Sequence, residues 1–138
     1  MDTRETFLDK AAAIIGADNV VRVTGEAGYK DPYPLNPGRD KWPGVRPGSV
    51  EEVQALVRLA NQTGVALWTF SKGKNLGYGG PEPRDQSTVA MDLGRMDAIH
   101  EVDDKLCYAV VEPGVTFFDL FDYIQERGLK VWLSVPAL

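Results

Sequence analysis

The stretch "SKGKNLGYGG", residues 71–80, follows an apolar and β-branched run, "VALWTF", and leads at once into Pro81 and Pro83. Four glycines and two lysines in ten residues place a permissive backbone and local positive charge at the end of a strand. That combination points to a backbone drawn close to an anion. The dinucleotide fingerprint G-x-G-x-x-G and the P-loop both open a helix, and neither pattern is present. Gly77 and Gly79 have the first spacing of the fingerprint, but Glu82 stands where its third glycine would be, and the prolines oppose a helix. Anion binding does not need one, because successive backbone N–H groups in a glycine-rich turn form a nest for phosphate oxygens. Lys72 and Lys74, with Arg84 beyond, supply the charge. Spacing alone leaves a solvated turn between strands equally open. Tyr78, set between Gly77 and Gly79, is placed to stack on a ligand or hydrogen-bond to it.

The rest of the composition bounds the answer. A chain of 138 residues with 43% hydrophobic and 25% charged residues is ordinary for one soluble globular domain. No apolar run approaches the roughly 20 residues that span a bilayer, and "MDTRETFLDK" is unlike a signal peptide; a cytoplasmic chain without a membrane partner is expected. A formal net charge of −5 argues against nucleic acid, which requires a basic face. One cysteine, Cys107, excludes an internal disulfide, and one histidine, His100, leaves no zinc cluster. No metal site is expected. The apolar ending "KVWLSVPAL" leads to the expectation of a fragment.

Along the chain, Asp2 with Glu5 caps a helix whose apolar face is Phe7, Leu8, Ala11, Ile14 and Ile15, ending at Gly16. "NVVRV" follows as a strand. Residues 25–48 carry five prolines and five glycines, which predicts a long loop or wrapping arm. Ser49 with Glu52 makes a capping box, Val50, Val53, Leu56, Val57 and Ala60 form a helical stripe, and Gly64 ends it. After the strand "VALWTF" and the glycine loop come three short strands, "STVAMDL", "AIHEV" and "CYAVVEPG", divided by Gly94 and a turn at Asp103, Asp104 and Lys105. Thr116 with Asp119 starts a last helix bearing Phe117, Leu120, Phe121 and Ile124, stopped at Gly128, and "KVWL" reads as a closing strand. Helices and strands interleave without a strict βαβ repeat, so the fold class is α+β, a mixed sheet with helices packed against it.

"GKNLGYGG" taken together with "VEPGVTFFDLFDYI" (111–124), "KDPYP" (30–34), "RPGSVEEVQALVRLAN" (46–61) and "VWLSVPAL" (131–138) resembles the vanillyl-alcohol oxidase / p-cresol methylhydroxylase (PCMH) family of flavoenzymes. The likeness is greatest to members acting on 4-alkylphenols such as eugenol, and it covers practically the whole chain. It implies the N-terminal portion of a PCMH-type FAD-binding domain. Residues 1–46 would be a helix, strand and wrapping loop, residues 47–138 the first part of that domain, and the substrate domain would be absent. The implied cofactor is FAD, its pyrophosphate wrapped by the loop that holds Ser71, Lys72, Gly73, Lys74, Asn75, Leu76, Gly77 and Gly79. Pro113 and Gly114 match the turn lining the same site. The family's G-Y-G-G tyrosine gives Tyr78 the catalytic role of stabilising a substrate phenolate, which eases hydride removal from the benzylic carbon. The implied partners are a small-molecule phenol and, for flavin reoxidation, either oxygen or a cytochrome c.

Two positions depart from relatives. Ala137 replaces an aspartate that many family oxidases carry near flavin N5, which leans toward a dehydrogenase. Asn75 replaces the flavin-linking histidine of other branches, so covalent attachment through this loop is not expected. His100 reads as a surface residue, Cys107 as a small core residue, and Trp42, Trp68 and Trp132 as packing residues. Asp103 and Asp104 mark a turn; Phe117, Phe118 and Phe121 read as a core helix face. Apolar surface that would meet the remainder of a flavin domain predicts self-association as a homo-oligomer.

Overall fold

The computed structural model describes residues 2–30, 41–74, 80–83, 85 and 87–134. The chain divides into two compact units, Met1–Arg95 and Met96–Leu138.

In the first unit, α1 (Thr3–Ile15) begins where the Asp2 carboxylate accepts the Arg4 N–H, and ends where Gly16 N–H reaches the Ala12 carbonyl. It buries Phe7, Leu8, Ala11 and Ile15, while Ile14 lies at the rim of the stripe and is exposed. "NVVRV" yields only a two-residue strand, β1 (Val20–Val21), because its partner β2 (Gly44–Val45) is equally short. That partner lies inside the stretch expected to be loop. The Tyr29 and Trp42 backbones also exchange two hydrogen bonds, of 2.8 and 2.9 Å. α2 (Val50–Thr63) is capped by Ser49, whose hydroxyl accepts the Glu52 N–H at 3.2 Å. The Glu52 carboxylate returns one residue further than a capping box requires, to the Gly48 N–H at 2.7 Å. Gly64 closes the helix in the left-handed conformation. The buried stripe is Leu56, Leu59 and Ala60, whereas Val50 and Val57 face solvent.

β3 (Leu67–Phe70) and β2 both run parallel to β4 (Val89–Asp92), giving the strand order β1-β2-β4-β3 with β1 antiparallel. The register pairs Leu67 with Val89 and Thr69 with Met91 on one face, and Trp68 with Ala90 and Phe70 with Asp92 on the other. The first face meets both helices in a core of Phe7, Leu8, Val45, Leu56, Val89 and Met91 among others. The mixed sheet with helices on one face is the α+β architecture expected. On the opposite face Tyr29 packs edge-on against Phe70 at 5.3 Å.

The second unit pairs β5 (Ile99–Asp103) with β6 (Tyr108–Val111) as an antiparallel hairpin. At its turn the Asp103 carboxylate accepts the N–H groups of Lys105 (2.8 Å) and Leu106 (2.7 Å). Cys107 stands in this turn with φ 57° and is exposed, so it is not the core residue its apolar neighbours implied. α3 (Phe117–Glu126) has the full reciprocal capping box between Thr116 and Asp119. Ile124 is buried, but Phe117, Phe118 and Phe121 are 55%, 62% and 50% exposed, which corrects the expected core face. Periodicity locates an apolar stripe; it does not say what covers it. Residues 130–133 form no strand, and Trp132 is 87% exposed, not packed. No described helix is long and apolar enough to cross a membrane.

Candidate functional site

In a parallel sheet, ligands bind beyond the carboxyl ends of the strands. Here those ends are Phe70 and Asp92, paired in register, and the glycine loop leaves directly from Phe70. Ser71, Lys72, Gly73 and Lys74 are described; Asn75, Leu76, Gly77, Tyr78 and Gly79 lie outside the described residues, as do Arg84 and Ala137. The two ends of the loop are joined at its base. The Trp68 indole N–H donates to the Gly80 carbonyl at 2.9 Å, and a Cβ on Gly73 would lie 3.0 Å from the Pro81 ring. Gly73 has φ +66°, one half of the alternation of right- and left-handed residues that turns successive N–H groups to one side.

The loop has a fixed floor. Gly94 N–H donates to Asp92 Oδ1 at 2.8 Å, and Lys72 Nζ donates to the Gly94 carbonyl at 3.3 Å. Asp92 Oδ2 accepts from the Tyr29 hydroxyl at 2.9 Å and faces Arg46 Nε at 3.5 Å. That Nε–H is buried and without a hydrogen-bond acceptor among the described residues, so the contact with Asp92 is an ion pair rather than an aligned hydrogen bond. Burial first, and the Asp92 carboxylate second, push the Tyr29 phenol above its ordinary range. The phenol therefore stays a donor to Asp92. A carboxylate this close to the loop would repel a phosphate, but its charge is met by Arg46, Tyr29 and an amide. Lys72 and Lys74 remain exposed.

These residues fit a dinucleotide phosphate: a left-handed glycine held from behind by proline, two cations, and a compensated acid beneath. Among the described residues no group of three or more His, Cys, Asp or Glu could hold a metal ion.

Pro113 and Gly114 belong to the second unit. They form the turn after β6, where Gly114 N–H reaches the Met96 carbonyl at 2.6 Å and Val115 N–H the Glu112 carbonyl at 3.1 Å. Glu112 also accepts the Ala98 N–H at 2.9 Å and stands 4.0 Å from the exposed His100. Trp68, Gly80, Tyr29, Asp92 and Gly94 were not singled out from sequence as site residues. The signal for the last two was present in "DLG", an acid and a glycine at the end of a strand.

The profile of the FAD binding domain family matches residues 44–138. The chain belongs to this family, in its PCMH-type branch, and its cofactor is FAD. It is 39% identical over 136 residues to the 4-cresol dehydrogenase [hydroxylating] flavoprotein subunit of Pseudomonas putida, covering 94% of this chain and 26% of that protein. The solved 4-ethylphenol oxidase from Gulosibacter chungangensis, in complex with isoeugenol, superposes on 95% of this chain and 26% of its own with TM-score 0.84 and 38% identity. The 1'-carboxy-chondrochloren decarboxylase of Chondromyces crocatus is 42% identical over 93 residues, 67% of this chain and 17% of that one. The chain thus spans about a quarter or less of the length of these relatives.

Proposed function

We propose that this chain supplies the first part of the FAD-binding domain, residues 47–138 preceded by the helix and wrapping arm of 1–46, to an oxidoreductase acting on 4-substituted phenols. The observation that carries this is the 38% identity and TM-score 0.84 to a 4-ethylphenol oxidase over 95% of the chain. When bound, FAD supplies the hydride acceptor, its N5, for a benzylic C–H. The protein's task is then to hold the pyrophosphate and to favour the phenolate. Lys72, Lys74 and the backbone amides of residues 71–77 and 79 take the first role, with Pro113 and Gly114 lining the site; Tyr78 takes the second, donating to the phenolic oxygen as its negative charge grows.

Relatives named dehydrogenase and oxidase stand on both sides of the question of electron acceptor. Ala137, in the place of an acid, favours the dehydrogenase, with a cytochrome c as acceptor. Residues 1–138 alone are expected not to turn over, since most of the length of those relatives lies outside them. The exposed aromatics of α3 support a second reading, an inactive domain that acts at most as an interaction module.

The test is a visible-light titration of the purified chain with FAD. A stoichiometric flavin band that weakens in Lys74→Ala and Gly77→Ala supports the loop as the pyrophosphate holder. A chain that retains no flavin overturns that role for the loop by itself.

A further inference from the structure

We infer that Asp92 is a positioning residue for the glycine loop: its carboxylate links the wrapping arm to the loop floor and sets where Lys72 and Gly73 stand. The chain of contacts is continuous within the first unit. Tyr29, from the arm, donates to Oδ2, and Gly94 N–H donates to Oδ1. The Gly94 carbonyl then receives Lys72 Nζ. Leu93 N–H to the Phe70 carbonyl, at 3.0 Å, fixes the strand end from which the loop departs. The fit at Gly94 is close, because a Cβ there would lie 2.8 Å from Asp92 Oδ1 and 3.7 Å from the Ser71 carbonyl. Asp92 is two-coordinate in hydrogen bonds and paired with Arg46, with its side chain only 16% exposed. A part-buried carboxylate so engaged holds its neighbours in one arrangement, and removing it leaves the Gly94 amide, the Tyr29 hydroxyl and the Arg46 guanidinium without their shared partner. Its role is to fix the loop before any ligand arrives. The consequence for FAD rests on the cofactor reading of the loop; the consequence for the loop itself does not.

Trypsin reads the loop directly, since Lys72 and Lys74 are its sites there and Lys105, in the hairpin turn of the other unit, serves as the internal control. Asp92→Ala is expected to speed cleavage after Lys72 and Lys74 by about five- to tenfold, the loss of a part-buried charge-assisted hydrogen bond acting on local opening, with Lys105 unchanged. Asp92→Asn keeps an oxygen for the Gly94 N–H and is expected to restore most of the protection. Tyr29→Phe, which leaves the carboxylate in place, falls between. Cleavage in Asp92→Ala that matches wild type, or that rises equally at Lys105, overturns the inference. FAD fluorescence titration of the same proteins is the second readout: the dissociation constant rises about tenfold in Asp92→Ala and recovers in Asp92→Asn. A wild type that binds no FAD overturns the loop as a holder of the pyrophosphate by itself, while the tryptic pattern still decides the role of Asp92.

Discussion

Trp68 and Gly80 stand on opposite sides of the glycine loop, and the indole N–H of the first donates to the carbonyl of the second at 2.9 Å. The bond turns a long excursion into a closed loop anchored on β3. Trp68→Phe keeps most of the ring and deletes the donor, leaving the Gly80 carbonyl to find water. The expected loss is about 1 kcal/mol, read as a lower urea midpoint with unchanged slope.

Gly73 carries two constraints that can be separated. Its φ of +66° disfavours any side chain, and a Cβ would also press on Pro81 at 3.0–3.2 Å. Gly25 shares the positive φ, +54°, but has nothing within 4 Å. Gly25→Ala is expected to cost about 1 kcal/mol from backbone strain alone. Gly73→Ala is expected to cost about 2 kcal/mol and to weaken FAD retention as well. Thermal midpoints of the two variants measured together check the difference.

Burial separates stability from association. Leu56 is fully buried between α2 and the sheet, so Leu56→Ala is expected to lose roughly 2–5 kcal/mol. Phe118 and Phe121 are 62% and 50% exposed; changing both to Ser leaves stability within about 0.5 kcal/mol per site. The same double change is expected to lower the mass seen by light scattering, because it breaks the exposed apolar face proposed to drive self-association. An unchanged mass would remove that face from the account.

The Tyr29 phenol sets a pH dependence on the alkaline side. Its pKa in the folded chain is raised above the ordinary 10.0, by burial first and by Asp92 next. Below the unfolded value both states hold the proton and the contribution is complete. As pH climbs past about 10 the unfolded chain releases its proton and the folded chain does not, so stability falls. Tyr29→Phe removes this slope. Urea midpoints at a series of pH values between about 8 and 11 compare the two chains.

Local rules made the helix ends legible. Ser49 caps α2, Gly64 closes it, and the Thr116–Asp119 box is complete. The stripe on α2 was rotated, with Leu59 in the core and Val50 and Val57 out, because sequence spacing fixes the width of an apolar face less well than the partner helix and sheet do. "KVWL" has strand composition yet pairs with no strand among the described residues, and β-propensity expresses itself only through neighbours. The turn was legible in Asp103 and Asp104, but it extends to Cys107, whose apolar neighbours suggested the core. The glycine loop suggested an anion site through its own residues, whereas the contacts that join it to Tyr29 were not legible. Tyr29 and Asp92 are 63 positions apart, and only the pairing of β2, β3 and β4 brings the arm over the end of the sheet.

The strand order also governs when the first unit can fold. β4, the strand that joins β2 to β3, is the last of the four along the chain. As the polypeptide emerges during synthesis, α1 and α2 can form from local contacts, but β2 and β3 have no common neighbour until Asp92 has been added. A chain that stops before Val89 presents unsatisfied edges on β2 and β3 and a core that lacks Val89 and Met91. Such a nascent species is a natural client for chaperones, and its collapse to the native sheet is a late, non-local event whose rate is limited by bringing distant segments together.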